Sequence, residues 1–406
     1  MLLIPLLPFI VTSNPTNDAL ATVYIWFLLD SVVSYLFTYK RSILIADQKN
    51  YIVVGCDLLY QIFVKLGQAG VLWLTHSFQA YLVLMVLGRL LENLLLNGIS
   101  NHRYPYLTDK KAFKLQPEIL QDIRQKVKGM FFHKIGSFVV LGTDNILIAR
   151  FLGLAAVGIY SNYFLIINSI KSICSQILTA ATASVGHMLA EKDEKKNYKI
   201  FSEMQLLNGM LCNCAGVGIY CVATPVIELL FGRAFIVSEF TIFILALNFY
   251  VQGMRTVFGI FKETAGILYE DRYVALIESV INIVASLVFL RFFGLAGVFM
   301  GTITSSLVLY FYTFPVLVFK SVLKQRIVVY GRELLWLGSV FLLSLAVSKG
   351  ICRYFQWGSL TGEILFNFCV VLVVSNGMFL GLYMRWKEEA GELFGRIVGI
   401  FNKRGN

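Results

Sequence analysis

Arg150-Phe-Leu-Gly-Leu-Ala-Ala-Val-Gly158 is written a second time, with three changes, as Arg291-Phe-Phe-Gly-Leu-Ala-Gly-Val-Phe299. Each copy lies between two apolar runs long enough to cross a bilayer. Each therefore reads as a tight hairpin tip joining two helices, with Gly153 and Gly294 supplying the backbone freedom of the turn. A tip used twice points to a fold assembled from duplicated helical units. In membranes such duplication is characteristic of transporters, whose similar halves rock around a central site.

Composition names the solvent. Hydrophobic residues make up 57% of the 406, charged residues 15%, and the mean hydropathy is +0.72. That is too little charge to cover a water-soluble protein of this length. A spanning helix needs about 20 apolar residues, because lipid offers no partner to an open backbone N–H or C=O. Runs meeting that requirement lie near 19–39, 51–74, 78–98, 129–149, 154–184, 200–224, 234–256, 273–291, 294–318, 332–350 and 361–384. They predict an all-α polytopic membrane protein with about eleven full transmembrane helices. The runs are continuous and do not alternate, which excludes an outer-membrane barrel.

A net charge of +11 invites a nucleic-acid reading, but the placement of the charge argues against one. With the loop after 78–98 set inside, the inward segments hold 26 Lys and Arg and the outward segments five: Arg150, Arg233, Arg291, Lys349 and Arg353. This imbalance is the ordinary topology signal and puts the C-terminus in the cytoplasm. Arg150 and Arg291, at the repeated tips, fit interfacial anchors that snorkel to headgroups. The seven cysteines form no disulfide framework and no Cys-x-x-Cys pair, and the four histidines lack ligand spacing. No cofactor or metal is implied.

Met1 to Ile10 is apolar but too short to span, at roughly 15 Å of helix. No Lys or Arg precedes it, so a signal peptide fits poorly, although Ala19-Leu-Ala21 is a passable cleavage sequence. It reads as the second half of a helix whose beginning is absent from this chain. The longest interruption, Ser100 to Lys128, is polar and basic, and Gln116 to Lys128 is amphipathic. It fits either a short helix on the inner membrane surface or a solvated connector. A second basic linker, Lys320 to Arg332, sets off the last two spans. No loop is large enough to be a soluble catalytic domain, so the chain is not expected to be an enzyme.

An ionisable side chain at membrane depth is costly and faces a partner or a wet cavity. Helical spacing groups these residues into faces. Asp57, Gln61, Lys65 and Gln68 share one face; Arg89, Asn93 and Asn97 share another, with Glu92 beside them; Asp30, Ser34 and Thr38 form a third. Later in the chain the stripes are Asn168, Lys171, Ser172, Ser175 and Thr179, then Glu278, Asn282 and Ser286, while Lys134 and Asp144 mark 129–149. Turned toward a shared cavity, Lys65, Arg89, Lys134 and Lys171 would suit a phosphate-bearing cargo. Asp30, Asp144 and Glu278 are candidates for a coupling ion or proton. Internal ion pairs, Arg89 with Glu92 and Asp57 with Lys65 through Gln61, account for part of the same pattern.

Thr143-Asp-Asn-Ile-Leu-Ile148, with Phe151-Leu-Gly-Leu154 and Val157-Gly-Ile-Tyr-Ser161, resembles the start of the second lobe of polysaccharide flippases. These belong to the multidrug/oligosaccharidyl-lipid/polysaccharide exporter superfamily. Ala46-Asp-Gln-Lys-Asn-Tyr51, Tyr104-Pro-Tyr-Leu107, Phe231-Gly232, and Ile281-Asn-Ile-Val-Ala-Ser286 running through Gly294-Leu-Ala-Gly-Val298 to Gly301-Thr302 carry the likeness over nearly the whole chain. The resemblance implies a two-lobed bundle in a bacterial cytoplasmic membrane. Residues 1–99 would form an incomplete first lobe, 100–128 a cytoplasmic linker and 129–319 a second six-helix lobe. Residues 320–384 would form two extra C-terminal helices and 385–406 a cytoplasmic tail. It also implies a lipid-linked oligosaccharide on a polyprenyl pyrophosphate as cargo, flipped from the inner to the outer leaflet with no covalent chemistry. Membrane lipids and other polysaccharide-assembly membrane proteins are the implied partners. A fourteen-span member of the family would precede this chain with two spans and most of a third, so the first lobe is expected to be incomplete. Three other readings stand beside it: a drug/cation antiporter, a membrane sugar polymerase and an inactive flippase fragment.

Overall fold

The computed structural model describes residues 17–47, 49–108, 116–191, 193–267, 269–355 and 359–384. The apolar opening segment 1–10, residues 109–115 of the basic connector and the tail 385–406 lie outside the described residues. The helices, in chain order, are α1 Asn17–Ser34, α2 Thr38–Ala46, α3 Asn50–Thr75, α4 Phe78–Arg103, α5 Pro117–Phe151, α6 Leu154–Thr179 and α7 Thr182–Ala190. They continue with α8 Glu194–Phe231, α9 Glu239–Thr264, α10 Val274–Phe293, α11 Leu295–Val308, α12 Ile327–Tyr354, α13 Leu360–Val370 and α14 Asn376–Met384. The protein is an all-α polytopic membrane protein, and every expected apolar run lies largely on helix.

The number of spans comes out lower than the apolar runs alone imply. Among the described residues, eight helices are long and apolar enough to cross a membrane, and α1 with α2, bent by 48°, supplies a ninth if the pair is one span. The runs at 129–149 and 154–184 form the long helices α5 and α6, which are not among the eight. Lys134 and Asp144 in α5, and Asn162, Asn168 and Lys171 in α6, dilute their apolar content. The amphipathic stretch 116–128 is not a separate surface helix either. It is the first third of α5, which starts on Pro117, a residue well placed in a first helical turn.

Both repeated tips turn on their glycines. Gly153 has φ +86° and caps α6, and Gly294 has φ +55° and caps α11. Beyond the turn the copies diverge. A Cβ on Gly297 would lie 2.2 Å from the Phe289 carbonyl oxygen, and one on Gly301 would lie 2.1 Å from Ser286 Oγ. The α10 and α11 backbones thus touch through a Gly-x-x-x-Gly face, the small-residue packing that replaces hydrophobic drive inside lipid. The first copy has Ala156 and Tyr160 at the matching positions, and the Tyr160 ring instead packs against Phe299 at 4.8 Å.

The chain divides into two compact units, Met1–Gln116 and Pro117–Asn406. In the first, α2, α3 and α4 enclose a small apolar core at Leu44, Val53 and Leu96. Phe37, at the break between α1 and α2, sits in the left-handed region at φ 59°, a conformation that costs about 1–2 kcal/mol and is held by its surroundings. In the second, Phe201 meets Phe258, Phe261 and Phe319 edge to face at 5.2–5.5 Å, the arrangement that ring quadrupoles favour. A separate apolar cluster of Cys212, Leu337, Phe341 and Phe379 joins α8 to α12 and α14. After Val308 the α11 helix widens into π-helical turns over Leu309–Val322, with Pro315 inside. Proline has no N–H and crowds the preceding turn, so a wider helix accommodates it.

Candidate functional site

Each unit contains a polar cavity. In the first, a cavity of about 320 Å³ is lined by Asp30 from α1, Arg41 from α2, Asp57, Tyr60, Gln61 and Lys65 from α3, and Arg89 from α4. Asp57, Gln61 and Lys65 of the α3 stripe line this space, whereas Gln68, the fourth member, is buried outside its lining. The ion pairing inside it is different from the spacing-based expectation. Asp57 pairs with Arg41 and not with Lys65 through Gln61, because the break after α1 folds Arg41 back toward α3. Arg41 also reaches Glu92 at 3.0 Å. Arg89 pairs with Glu92 at 2.8 Å, as the i, i+3 spacing allows, approaches Asp30 at 3.6 Å and lies 4.3 Å over the Tyr60 ring. Glu92, whose side chain is 1% exposed, is thus the hub of a lattice of two arginines and three carboxylates. Lys65 stands apart, donating to Gln68 Oε1 at 3.3 Å.

Near the ends of these helices, buried Lys40 donates to Asn97 and to Asn101, the latter at 2.5 Å. Two of the family-like phrases meet nearby. Tyr104 donates its hydroxyl to Asp47 Oδ2 at 2.6 Å, Asp47 also pairs with Lys49, and the Lys49 ammonium lies 5.5 Å over the Tyr104 ring.

In the second unit, a cavity of about 510 Å³ is lined by Lys134 of α5, Gln252, Arg255 and Lys262 of α9, Glu278 of α10, and Leu309 and Phe314 of the π-helical turns. Glu278 is held by a two-pronged guanidinium pair, Arg255 Nη1 to Oε1 at 2.7 Å and Nη2 to Oε2 at 3.2 Å. Gln252 and Ser306 complete the Arg255 shell at 2.8 and 3.2 Å. Lys262 pairs with buried Asp271 at 2.7 Å. Lys134 is exposed and has no ion-pair partner among the described residues. Lys171 is exposed on α6 and does not line this cavity. Arg255 is the residue that sequence reading missed: the apolar run near 234–256 ends on it, whereas α9 continues to Thr264. Its position three residues after Gln252 and three before Phe258 is the signal that the helix goes on.

Asp144 lies elsewhere in this unit, buried where α5, α10 and α11 pack. Its two oxygens lie 3.4 and 3.2 Å from Thr302 Oγ1, and Asn282 Nδ2 donates to the same hydroxyl at 3.0 Å. A hydroxyl has one proton. With Asn282 donating in, that proton is shared between Asp144 Oδ2 at 3.2 Å, its nearest acceptor, and the Val298 carbonyl at 3.4 Å. Ser286 donates to the Val298 carbonyl at 3.0 Å on the same contact face, and Asn282 Oδ1 is buried with no partner. No cation pairs with Asp144 among the described residues. Nor do the described residues contain a group of three His, Cys, Asp or Glu side chains that could hold a metal ion.

Residues 72–240 match the family described as polysaccharide biosynthesis protein. The match runs from the end of α3 to the start of α9, is consistent with the resemblance to polysaccharide flippases, and contains Arg89, Lys134, Asp144 and Lys171. No curated protein matches the chain.

Proposed function

We propose that this protein is a membrane transporter for surface polysaccharide export. It flips a polyprenyl-pyrophosphate-linked oligosaccharide from the inner to the outer leaflet by alternating access, without covalent chemistry. The family match over residues 72–240 carries this reading, since it covers helices of both units. The acyl chain stays in lipid while the charged head crosses. Lys65 in the first unit's cavity, and Lys134 with Arg255 in the second unit's, are the cations each unit offers to an anionic head; Arg89 is held by the carboxylate lattice and Lys171 lies outside the second cavity. An anionic head would compete with Glu278 for Arg255, so cargo arrival loosens the α9–α10 contact. Asp144, with Thr302 and Asn282, is the coupling site: a carboxylate at membrane depth with a hydroxyl partner and no counter-cation takes up a proton or a monovalent cation. Asp30 and Glu278 are weaker candidates, because arginines already neutralise them.

The test is flipping of a fluorescent polyprenyl-pyrophosphate oligosaccharide in proteoliposomes. Lys134→Ala with Arg255→Gln should lower the rate at least roughly tenfold, about 1.4 kcal/mol of transition-state stabilisation. Wild-type rates in that double variant, at unchanged melting temperature, would remove the cationic-cavity proposal. In cells, loss of the protein should cause lipid-linked intermediates to accumulate on the inner leaflet.

A further inference from the structure

A second cavity of the Pro117–Asn406 unit has no part in that transport scheme. It measures about 510 Å³ and lies where α8, α9, α12 and α13 meet. Three of its walls are helix ends: Glu239 opens α9, Arg353 is the penultimate residue of α12, and Glu363 lies in the first turn of α13. The ends of spanning helices lie at the depth of lipid headgroups.

The charges in this cavity are unevenly satisfied. Lys349 pairs with Glu239 at 3.3 Å and lies 4.8 Å over the Tyr220 ring. Arg353 and Glu363 line the same space and form no salt bridge among the described residues; Arg353 adds a longer-range attraction to Glu239. Asn367 also lines the cavity and is only 3% exposed. Its Nδ2 donates to the Cys221 carbonyl at 3.0 Å. A carbonyl partner requires the nitrogen on that side, so the amide orientation is fixed. Its Oδ1 is then a buried acceptor with no donor. One free guanidinium, one free carboxylate and one unfilled acceptor face a single cavity.

We propose that this cavity binds the headgroup of a zwitterionic phospholipid bearing a primary ammonium, the phosphoethanolamine class. Arg353 takes the phosphate, the geometry that guanidinium and phosphate share. Glu363 takes the ammonium charge, and an ammonium N–H fills Asn367 Oδ1. Two neighbouring lipid classes are excluded on the same grounds. A choline headgroup has no N–H to give, and a glycerol headgroup has no cation for Glu363. The bound lipid joins α8 and α9 to α12 and α13, so its effect is on stability and does not depend on the flippase reading.

The experiment compares the full chain in vesicles of phosphatidylethanolamine with phosphatidylglycerol against vesicles of phosphatidylcholine with the same phosphatidylglycerol. The melting temperature should be roughly 3 °C or more higher with phosphatidylethanolamine, as expected for a saturating ligand of the folded state. Arg353→Ala with Glu363→Gln should abolish that difference, and Asn367→Leu should reduce it. An equal melting temperature in the two vesicles, or a difference that survives in the double variant, overturns the proposal, since bulk membrane effects act on both proteins alike. Soluble glycerophosphoethanolamine added to the phosphatidylcholine vesicles identifies the source. Stabilisation of wild type by it shows that the headgroup alone suffices, while stabilisation only by the vesicle lipid shows that the membrane supplies it.

Discussion

Asp30 and Asp144 are both carboxylates on apolar helices, and spacing alone gives them the same standing. The structure places them in opposite surroundings. Asp30 belongs to a lattice in which Arg41 and Arg89 are shared among Asp30, Asp57 and Glu92. Asp144 has a hydroxyl donor and no cation. The first environment spends its charges on holding helices together, because each ion is compensated by a neighbour. The second leaves a charge to be neutralised from outside the protein, which is what a coupling site requires. Under the proposed function the contrast separates a framework cluster from a coupling one, and the two can be broken independently.

The largest effect is expected at the hub of the lattice. Glu92→Gln keeps the shape of the side chain but leaves Arg41 and Arg89 sharing two carboxylates instead of three. Removing one partner of a buried pair costs about 3–5 kcal/mol. The two arginines are 28% and 27% exposed, so solvent and headgroups recover part of that, and a loss of about 2–3 kcal/mol is the expectation. Thermal unfolding in nanodiscs should show it, with no change in any ion dependence of transport. A variant that melts like wild type would mean the lattice is not a framework.

Next comes the contact that builds the other side. Gly301→Val forces a side chain into the Ser286 backbone, where the added Cβ alone would meet atoms at 2.1–2.6 Å. The nearest, Ser286 Oγ, is a side-chain atom, but Ser286 N and Cα at 2.4 and 2.6 Å are backbone and cannot swing away, so α11 must shift, at a cost of about 1–3 kcal/mol. Thr302, the next residue, would move off Asp144. The same change is sterically open at Gly158 in the first repeat copy, where nothing lies within 4 Å. Gly158→Val should therefore melt within about 0.5 kcal/mol of wild type, as surface changes do. Paired melting curves of the two variants check this.

The third prediction sharpens the comparison directly. Asp144→Asn removes the charge and leaves an amide that Thr302 can still hydrogen-bond. Stability should hold, while coupled transport falls by roughly tenfold or more, about 1.4 kcal/mol. Asp30→Asn should do the reverse. It weakens the pairing of Arg89, at about 1 kcal/mol or less for a partly exposed contact, and leaves ion dependence intact. Flux measured against an imposed proton or sodium gradient distinguishes the two. Equal loss of coupling in both variants would falsify the assignment of separate roles.

These distinctions were only partly legible in the sequence. Turn chemistry was: Gly153 and Gly294 sit where the repeated phrase put them, because only a residue without Cβ takes those φ values cheaply. One-helix faces were legible too, since a period of 3.6 brings Asp57, Gln61 and Lys65 to one side without any knowledge of neighbours. Partners on other helices were not. Arg41 reaches Asp57 and Glu92 only because α1 breaks at Phe37, and Thr302 meets Asp144 from 158 residues away. Arg255 was hidden for another reason: an apolar run ends at a charge, but hydrogen bonding carries α9 eight to nine residues further, to Thr264. Lys171 shows the opposite failure, a residue on a good stripe that does not reach the cavity of its own unit.

The smallest effect belongs to a cluster outside the spans, where water sets the scale. Lys49, first, and the Tyr104 hydroxyl, second, hold the Asp47 carboxyl below its ordinary value of 3.8, while the same contacts with Asp47 raise Lys49 and Tyr104 above 10.5 and 10.0. A depressed carboxylate contributes stability above its unfolded pKa and loses it as pH falls through the folded one. The raised phenol and ammonium contribute below their unfolded values and lose it as pH rises through the folded ones. The cluster is therefore fully formed between about pH 4 and pH 10 and erodes at both ends. Tyr104→Phe removes the phenol and leaves the Asp47–Lys49 pair, so the acid arm should persist in weakened form and the alkaline arm should retain only its Lys49 part. Asp47→Asn should flatten both arms. Melting temperatures of the three proteins from pH 3 to pH 11 test this, and an acid arm unchanged in Asp47→Asn would remove the cluster as its source.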